Sequence, residues 1–231
     1  MSVNPGQTIV PPSQRELEAS LARFQADWGV VDDVLYRLCR DFPNHDFLGP
    51  VTAKVALTGR AYAAGLERQV TVPGGQQAIV KIANFVLENS GQVDEILAPL
   101  AAIAEPLDPS TMVVVVEQHG CLTALLQKLT RGGTAPRSFA SKYLHFHSPV
   151  VPIFDDYARS AMNRIVSWDQ AHLPFALPAH GDEEYWKYCV RFLRLYDACR
   201  FAGVTATVKS LDAYLWAVPV SGKTSTGITA T

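Results

Sequence analysis

Apolar residues recur at helical spacing along most of this chain, and that pattern limits the possible folds more than any other feature. The hardest case is DPSTMVVVVEQHGCLTALLQKLTRGG, residues 108–133, because four consecutive valines favour a strand. The apolar residues of this segment nevertheless fall at helical intervals, and the opening DPS and the closing RGG are start and stop signals. We therefore predict a helix there.

Other segments repeat the helical spacing. A Ser followed three residues later by a Glu opens the helix SQRELEASLARFQADWG, VVDDVLYRLC follows as a second helix, and residues 51–68 form a long third one. No two apolar runs are joined by a two-residue hairpin turn, so we predict an all-α, multi-helix protein. Residues 14–218 should form a single domain, because residues 1–13 and 219–231 are dominated by small and polar residues and are expected to be disordered.

The overall charge limits the classes of partner. The 231 residues carry a net charge of -2, which argues against a surface coated with cations for duplex DNA and restricts any nucleic-acid contact to a local patch. The four cysteines have no CxxC or Cys/His zinc spacing, so we interpret them as reduced thiols. With no leader pattern at the start and no apolar run long enough to span a bilayer, we expect a soluble, cytoplasmic protein that does not bind membranes.

The segment RSFASKYLHFHSPVVPIFDDYARSAMNRI, residues 137–165, gathers two histidines, two aspartates and several basic residues on an apolar framework. RSFASKYLHF has helical spacing, but the two prolines of HSPVVPIF force the chain into an extended crossing. Asp155 or Asp156 is then placed to cap the next helix by accepting its free amide hydrogens. One carboxylate suffices for a cap, so we expect the other to point elsewhere and to be available for chemistry.

This order of elements resembles that of a known family. A helix, a glycine-containing turn, a second helix, an extended VPI stretch and an Asp that opens another helix follow one another in the helix-hairpin-helix DNA glycosylases, and the segment is most similar to the 8-oxoguanine DNA glycosylase branch. The resemblance covers residues 122–166. It implies two helical halves around a cleft, and cleavage of the N-glycosidic bond of a flipped base.

The resemblance also implies roles for individual residues. The position that matches the family's aspartate is Asp155, or Asp156 if the linker carries one extra residue, and this carboxylate would stabilise the sugar cation that develops as the base departs. The nucleophilic lysine of lyase-competent members matches Ser138. Lys142 lies one turn later on the same helix face, so its ammonium group could approach a similar point.

The hairpin departs from the family's pattern. The family turn usually reads Leu-Pro-Gly-x-Gly, whereas this chain has LTRGGTAP, with Gly132 and Gly133 adjacent. The resemblance implies that amide hydrogens of this turn hold the DNA backbone.

Basic residues are concentrated around the same segment. From residue 131 to residue 164 the chain has five basic residues and two acidic ones, interleaved with aromatic residues that suit phosphate contact and base stacking. Arg60 is a separate candidate, because a guanidinium in an otherwise small and apolar helix must pair with an acid or reach a phosphate. The alternative for the basic cluster is a solvated helix face. The predicted nucleic-acid contacts are Arg131, Gly132, Gly133, Arg137, Arg159 and Arg60.

Two histidines close together in the chain raise the question of a metal site. Residues two apart on a helix point in nearly opposite directions, so His145 and His147 could hold one ion with an aspartate only if the helix frayed between them. We expect one to be a hydrogen-bonded core histidine and the other to cap the helix or face a phosphate, with no metal site and no cofactor. His119, on the apolar face of the valine-rich helix, is expected to be a buried, hydrogen-bonded histidine.

Three functions remain open at this point. The leading hypothesis is a protein that binds a nucleic acid or a modified nucleobase or nucleoside and hydrolyses an N-glycosidic bond through Asp155. The second is a non-enzymatic accessory module of a prokaryotic defence or toxin system with a protein partner, since SFASKYLHFHSPVVPIFD is also similar to uncharacterised prokaryotic proteins near defence genes. The weakest is a metal-dependent nuclease that uses His145, His147 and the aspartates.

Overall fold

The computed structural model describes residues 9–72, 74 and 77–218, and within these ranges all regular secondary structure is helical. Most of the predicted tails, residues 1–8 and 219–231, lie outside the described residues. The prediction of an all-α protein is confirmed. The helices are α1 Gln14–Asp41, α2 Leu48–Ala56, a π-helical turn Leu57–Ala61, α3 Leu66–Gln69, α4 Ala78–Glu88, α5 Ser90–Ala101, α6 Pro109–Gln127, a 3₁₀ turn Arg131–Gly133, α7 Arg137–His147, α8 Asp156–Ile165, α9 Glu183–Phe201 and α10 Val208–Ala217.

The valine-rich segment is the helix α6, as predicted. Asp108 caps it by accepting a hydrogen bond from the Thr111 amide, and the Thr111 hydroxyl bonds back to the Asp108 amide. Met112, Val115 and Val116 are buried, because α6 packs against α5, α7 and α9 in the middle of the fold. Burial on several sides explains why four adjacent valines can be helical despite their preference for strands.

Two helix boundaries differ from the predictions. The first two predicted helices form one continuous helix, α1, because Gly29 stays helical and costs only about 1 kcal/mol relative to alanine. The long helix predicted over residues 51–68 is interrupted: α2 widens into the π-helical turn and then breaks, with Ala63 and Gly65 at φ angles of 49° and 73°. Such turns are frequent at functional sites.

The predicted helix, turn and helix around the glycines are present. α6 ends before the 3₁₀ turn, where Gly132 and Gly133 have φ angles of 65° and 67°, a left-handed conformation that favours glycine. α7 then packs back against α6. After His147 the chain is extended up to Asp155, the N-cap residue of α8.

The helices surround one large core and leave a cavity beside it. α1 packs along α10 and against α7, and α8 contacts both α9 and α10. Ile9, within the predicted N-terminal tail, packs against this core. All four cysteines are free thiols, and none of the described helices is both long and apolar enough to cross a membrane.

Candidate active-site cavity

A cavity of about 480 Å³ lies between α1, the π-helical turn, α7, the start of α8 and α10. Its wall combines aromatic rings with ionisable groups. The aromatic lining residues are Phe24, Trp28, Tyr62, Phe146, Phe154, Tyr157 and Trp216. The ionisable lining residues are Asp32, Arg68, Lys142, His145, Asp155, Asp156, Lys209 and Asp212.

Asp155 both caps a helix and faces the cavity. Its Oδ1 accepts a hydrogen bond of 2.9 Å from the Ala158 amide in the first turn of α8. Its Oδ2 lies 3.1 Å from Nζ of Lys142. Capping and the contact with Lys142 therefore fall to the same aspartate, because the two oxygens of its carboxylate point in different directions.

Asp156 is far more exposed. Its side chain is 76% exposed and lies 3.4 Å from the Arg159 guanidinium, one turn along α8. It contributes to the cavity rim but, among the described residues, makes no hydrogen bond or ion pair with Lys142 or another ionisable group of the cavity. Of the two adjacent aspartates, Asp155 is the one with the geometry of a reactive group.

Lys142 is held from two sides. Its side chain is only 7% exposed, and Nζ donates a 2.9 Å hydrogen bond to the carbonyl oxygen of Tyr62 in addition to its ion pair with Asp155. Because the helical segment ends at Tyr62, that carbonyl is available to a side-chain donor. Ser138, the position that matches the family's lysine, lies one turn earlier on α7 and also lines the cavity.

A second ion pair lies at the wall that α1 and α10 build. Nζ of Lys209 is 3.0 Å from Oδ2 of Asp32, and Oδ1 of Asp32 accepts a hydrogen bond from the Tyr62 hydroxyl. The Lys209 ammonium also sits 4.6 Å from the centre of the Tyr36 ring, within range of a cation–π contact. Tyr62 thus joins both ion pairs, through its carbonyl oxygen to Lys142 and through its hydroxyl to Asp32.

His145 and Asp212 complete this wall. Nδ1 of His145 donates to the Val151 carbonyl at 2.8 Å, so Nε2 accepts from the Tyr36 hydroxyl at 2.5 Å. Burial lowers the pKa of His145 to about 4. Burial also raises the pKa of Asp212 well above its usual value, against the opposing effect of a hydrogen bond from the Ile153 amide.

Two of the six predicted nucleic-acid contacts, Arg137 and Arg159, line a smaller cavity next to the first one. This cavity of about 250 Å³ is lined by Arg137, Ser138 and Arg159 together with the end of the hairpin, and it shares Ser138 and Asp156 with the larger cavity. Arg137 is bound to Asp182 at 2.7 Å, and Arg131 donates to the Arg68 carbonyl at 2.8 Å.

Arg60 pairs with an acid, which was one of the two alternatives for it, but the pair is not buried. The guanidinium lies 3.4 Å from Glu67, and the Arg60 side chain is 65% exposed. The π-helical turn changes the angle between successive side chains, so Arg60 does not share a face with the buried residues of α2.

The two neighbouring histidines lie on opposite sides of α7. His145 faces the cavity, whereas His147 packs behind α7 with ring centres 5.3 Å from both His45 and Tyr143. Among the described residues no three His, Cys, Asp or Glu side chains are grouped to hold a metal ion. His119 is fully buried and bonds to the Arg137 carbonyl at 3.1 Å, as predicted.

Several cavity residues were missed in the sequence. From the sequence we did not single out Trp28, Trp216, Asp32, Lys209 or Asp212. A signal was present in α1, where Phe24, Trp28 and Asp32 are four residues apart and therefore share a face. An acid on an otherwise aromatic face needs a buried partner, and this pattern could have indicated the site.

Comparison with known proteins assigns the chain to no family. No protein-family model, no curated protein and no solved structure matches the chain.

Proposed function

We propose that this protein binds a nucleotide of a nucleic acid with its base in the large cavity and cleaves the N-glycosidic bond. The observation that carries the proposal is the pair Lys142–Asp155, 3.1 Å apart in the wall of an aromatic cavity. An amine and a carboxylate so placed supply a nucleophile and a negative charge at one point.

The aromatic lining supports base binding. The Trp28 and Tyr62 rings are 5.8 Å apart, Tyr62 and Phe146 are 4.9 Å apart, and Phe24 meets Trp216 edge to face. Enzymes that act on a flipped base stack it between aromatic side chains, and a volume of about 480 Å³ lies within the usual range for ligand cavities.

The reaction needs little more than these two groups. The C1′–N bond breaks and its electron pair leaves with the base, which takes up a proton, while positive charge develops on the sugar. Asp155 is suited to stabilise that charge. The new bond to C1′ comes either from a water oxygen or from Nζ of Lys142, and in each case the nucleophile gives up a proton.

The surroundings of the cavity suit a short stretch of sugar-phosphate backbone. Arg68 lines its rim, Arg137 and Arg159 line the adjoining smaller cavity, and the glycine turn precedes α7. These guanidinium groups lie in a chain with a net charge of -2, which favours single-stranded or short substrates over long duplex contacts.

The test is base release from single-stranded and duplex oligonucleotides that carry oxidised, deaminated or alkylated bases. We expect release by the wild-type protein with EDTA present and a loss of at least about a hundredfold in Asp155→Asn. Asp33→Asn, an exposed position on α1, is the matched control and should retain activity. Activity that needs a metal would favour the nuclease instead.

A second measurement separates the two nucleophiles. Attack by Lys142 leaves a covalent imine that borohydride reduces to a stable adduct, which Lys142→Met should not form. Attack by water leaves no adduct. If Asp155→Asn lowers only the melting temperature and neither protein binds or cleaves any oligonucleotide, the glycosylase proposal fails and a non-enzymatic module is the better description.

A further inference from the structure

Lys209 is a cation in the aromatic wall of the cavity. It belongs to the first turn of α10, lines the cavity and has a side chain that is 32% exposed. The proposed reaction at Lys142 and Asp155 does not require it.

Its hydrogen-bonding capacity is only partly used. An ammonium group has three N–H donors. Nζ lies 3.0 Å from Oδ2 of Asp32 and over the Tyr36 ring. Among the described residues Nζ has no third partner, so a donor remains for a molecule inside the cavity.

The adjacent carboxylate does not offer an equivalent acceptor. Oδ1 of Asp32 accepts from the Tyr62 hydroxyl and Oδ2 pairs with Lys209. The side chain is also almost completely buried. At this position the wall therefore presents a positively charged donor to a ligand.

A base would meet this donor with one of two groups. Guanine and thymine carry carbonyl oxygens where adenine and cytosine carry amino groups. A carbonyl oxygen would accept the free N–H of Lys209, whereas an amino group would leave that donor unpaired and face it with a second donor. Hydrogen-bonding sites discriminate most strongly when the wrong ligand leaves a polar group without a partner.

We propose that Lys209 is a specificity-determining residue that makes the cavity prefer a base with a carbonyl oxygen over one with an amino group at the same ring position. The inference rests on the proposed function in one respect, namely that the cavity holds a base. It assigns to α10 the choice of base and to α7 and α8 the bond cleavage.

Binding of free bases tests the inference without requiring catalysis. Hypoxanthine and adenine share the purine ring and differ in an oxo or amino group at one carbon, with the matching change in ring protonation. Titration of wild-type protein, followed by calorimetry or by the fluorescence of Trp28 and Trp216, should show hypoxanthine binding about tenfold more tightly, the size expected for one charge-assisted hydrogen bond near solvent.

Three variants accompany the titration. Lys209→Met should bring the two dissociation constants to within about twofold of each other, since the charged donor is gone. Because this change leaves Asp32 without its cation, the double variant Asp32→Asn/Lys209→Met provides a form without either charge and should show the same loss of preference. Lys128→Met, an exposed lysine on another face, is the control and should keep the wild-type ratio.

The outcomes separate the two claims. Equal binding of both bases by the wild type, or a preference that survives in both Lys209 variants, overturns the inference about Lys209 and leaves a base-binding cavity. Failure of the wild type to bind either base at millimolar concentration overturns the proposed base cavity as well.

Discussion

Two buried lysines show what distinguishes a candidate site from a structural cation. Lys54 on α2 is fully buried, and its Nζ donates to the carbonyl oxygens of Phe42 and Asn44, with no ion pair to a carboxylate among the described residues. Lys142 on α7 is nearly as buried, but its Nζ meets the Asp155 carboxylate and borders a cavity. Burial of a lysine alone therefore does not make it a candidate site residue, whereas an acid partner beside an open volume does.

The residues around the two lysines differ in the same way: those around Lys54 form a packed region, whereas those around Lys142 border a cavity. Behind α7, His45 bonds to Asp94 at 2.6 Å and to Tyr143 at 2.7 Å, and burial lowers the pKa values of His45, His147 and Lys54. There, Lys54 donates to backbone carbonyl oxygens and the buried rings pack against one another. In front of α7 the ionisable groups instead border a cavity that a ligand can enter.

The largest expected effect concerns catalysis. Lys142→Met should lower base release by about a hundredfold or more if the amine is the nucleophile, because the reacting atom is lost. Lys54→Met should leave the rate of the folded protein within about threefold, since Lys54 does not border the cavity. Single-turnover base release at matched folded concentration measures both. Equal losses in the two variants would contradict the functional contrast between the lysines.

Acid should lower the free energy of unfolding, because several buried histidines near α7 are held neutral in the folded protein. Burial lowers the pKa values of His119 and His145 to about 4, so between pH 6.5 and 4 the unfolded chain binds protons that the folded one does not. Stability is therefore present above this window and is lost as the pH falls through it, by roughly 2 kcal/mol at pH 5 for each of these histidines. His45 and His147 act in the same direction.

The raised pKa of Asp212 acts in the opposite direction, because the folded carboxyl keeps its proton at a pH where the unfolded one has lost it. Urea unfolding at pH 7 and pH 5 should show lower stability at pH 5, and Asp212→Asn should widen the difference. Equal stability of the wild type and of Asp212→Asn at the two pH values would show that the histidines are not held neutral.

Removal of the structural lysine should cost stability. Lys54→Ala leaves a cavity and deprives the Phe42 and Asn44 carbonyls of their donor, so we expect a loss of about 3 kcal/mol in the free energy of unfolding. Lys128→Ala, at an exposed position, should change it by less than about 0.5 kcal/mol. Denaturant unfolding at neutral pH gives both values, and similar stabilities would show that Lys54 contributes nothing through its contacts.

The smallest effect should come from the second aspartate. Asp156→Asn should change base release by less than about threefold and stability by less than about 0.5 kcal/mol, because its ion pair with Arg159 is exposed to solvent. A loss of activity comparable to that of Asp155→Asn would move the reactive role to Asp156. The same assays serve for both variants.

Part of the site was predictable and part was not. The sequence indicated Asp155 through its position after an extended crossing, and the resemblance to the glycosylases indicated Lys142 as the lysine one turn after Ser138. The sequence did not indicate that one carboxylate would both cap α8 and bind Lys142, because a capping signal does not specify where the second oxygen points. The π-helical turn was also missed, since residues 51–68 have continuous helical spacing, and it is this break that frees the Tyr62 carbonyl for Lys142.

By itself, the sequence determined the all-α class, the valine-rich helix, the glycine turn and the capped start of α8. Each depends on residues close together in the chain, through helical spacing, capping side chains or backbone freedom. Only the tertiary structure decided that α1 and α10 would bring Asp32 to Lys209, 177 positions apart in the chain, and that α7 and α8 would close around the same cavity. Such contacts depend on how helices pack, and local sequence patterns do not encode which faces meet.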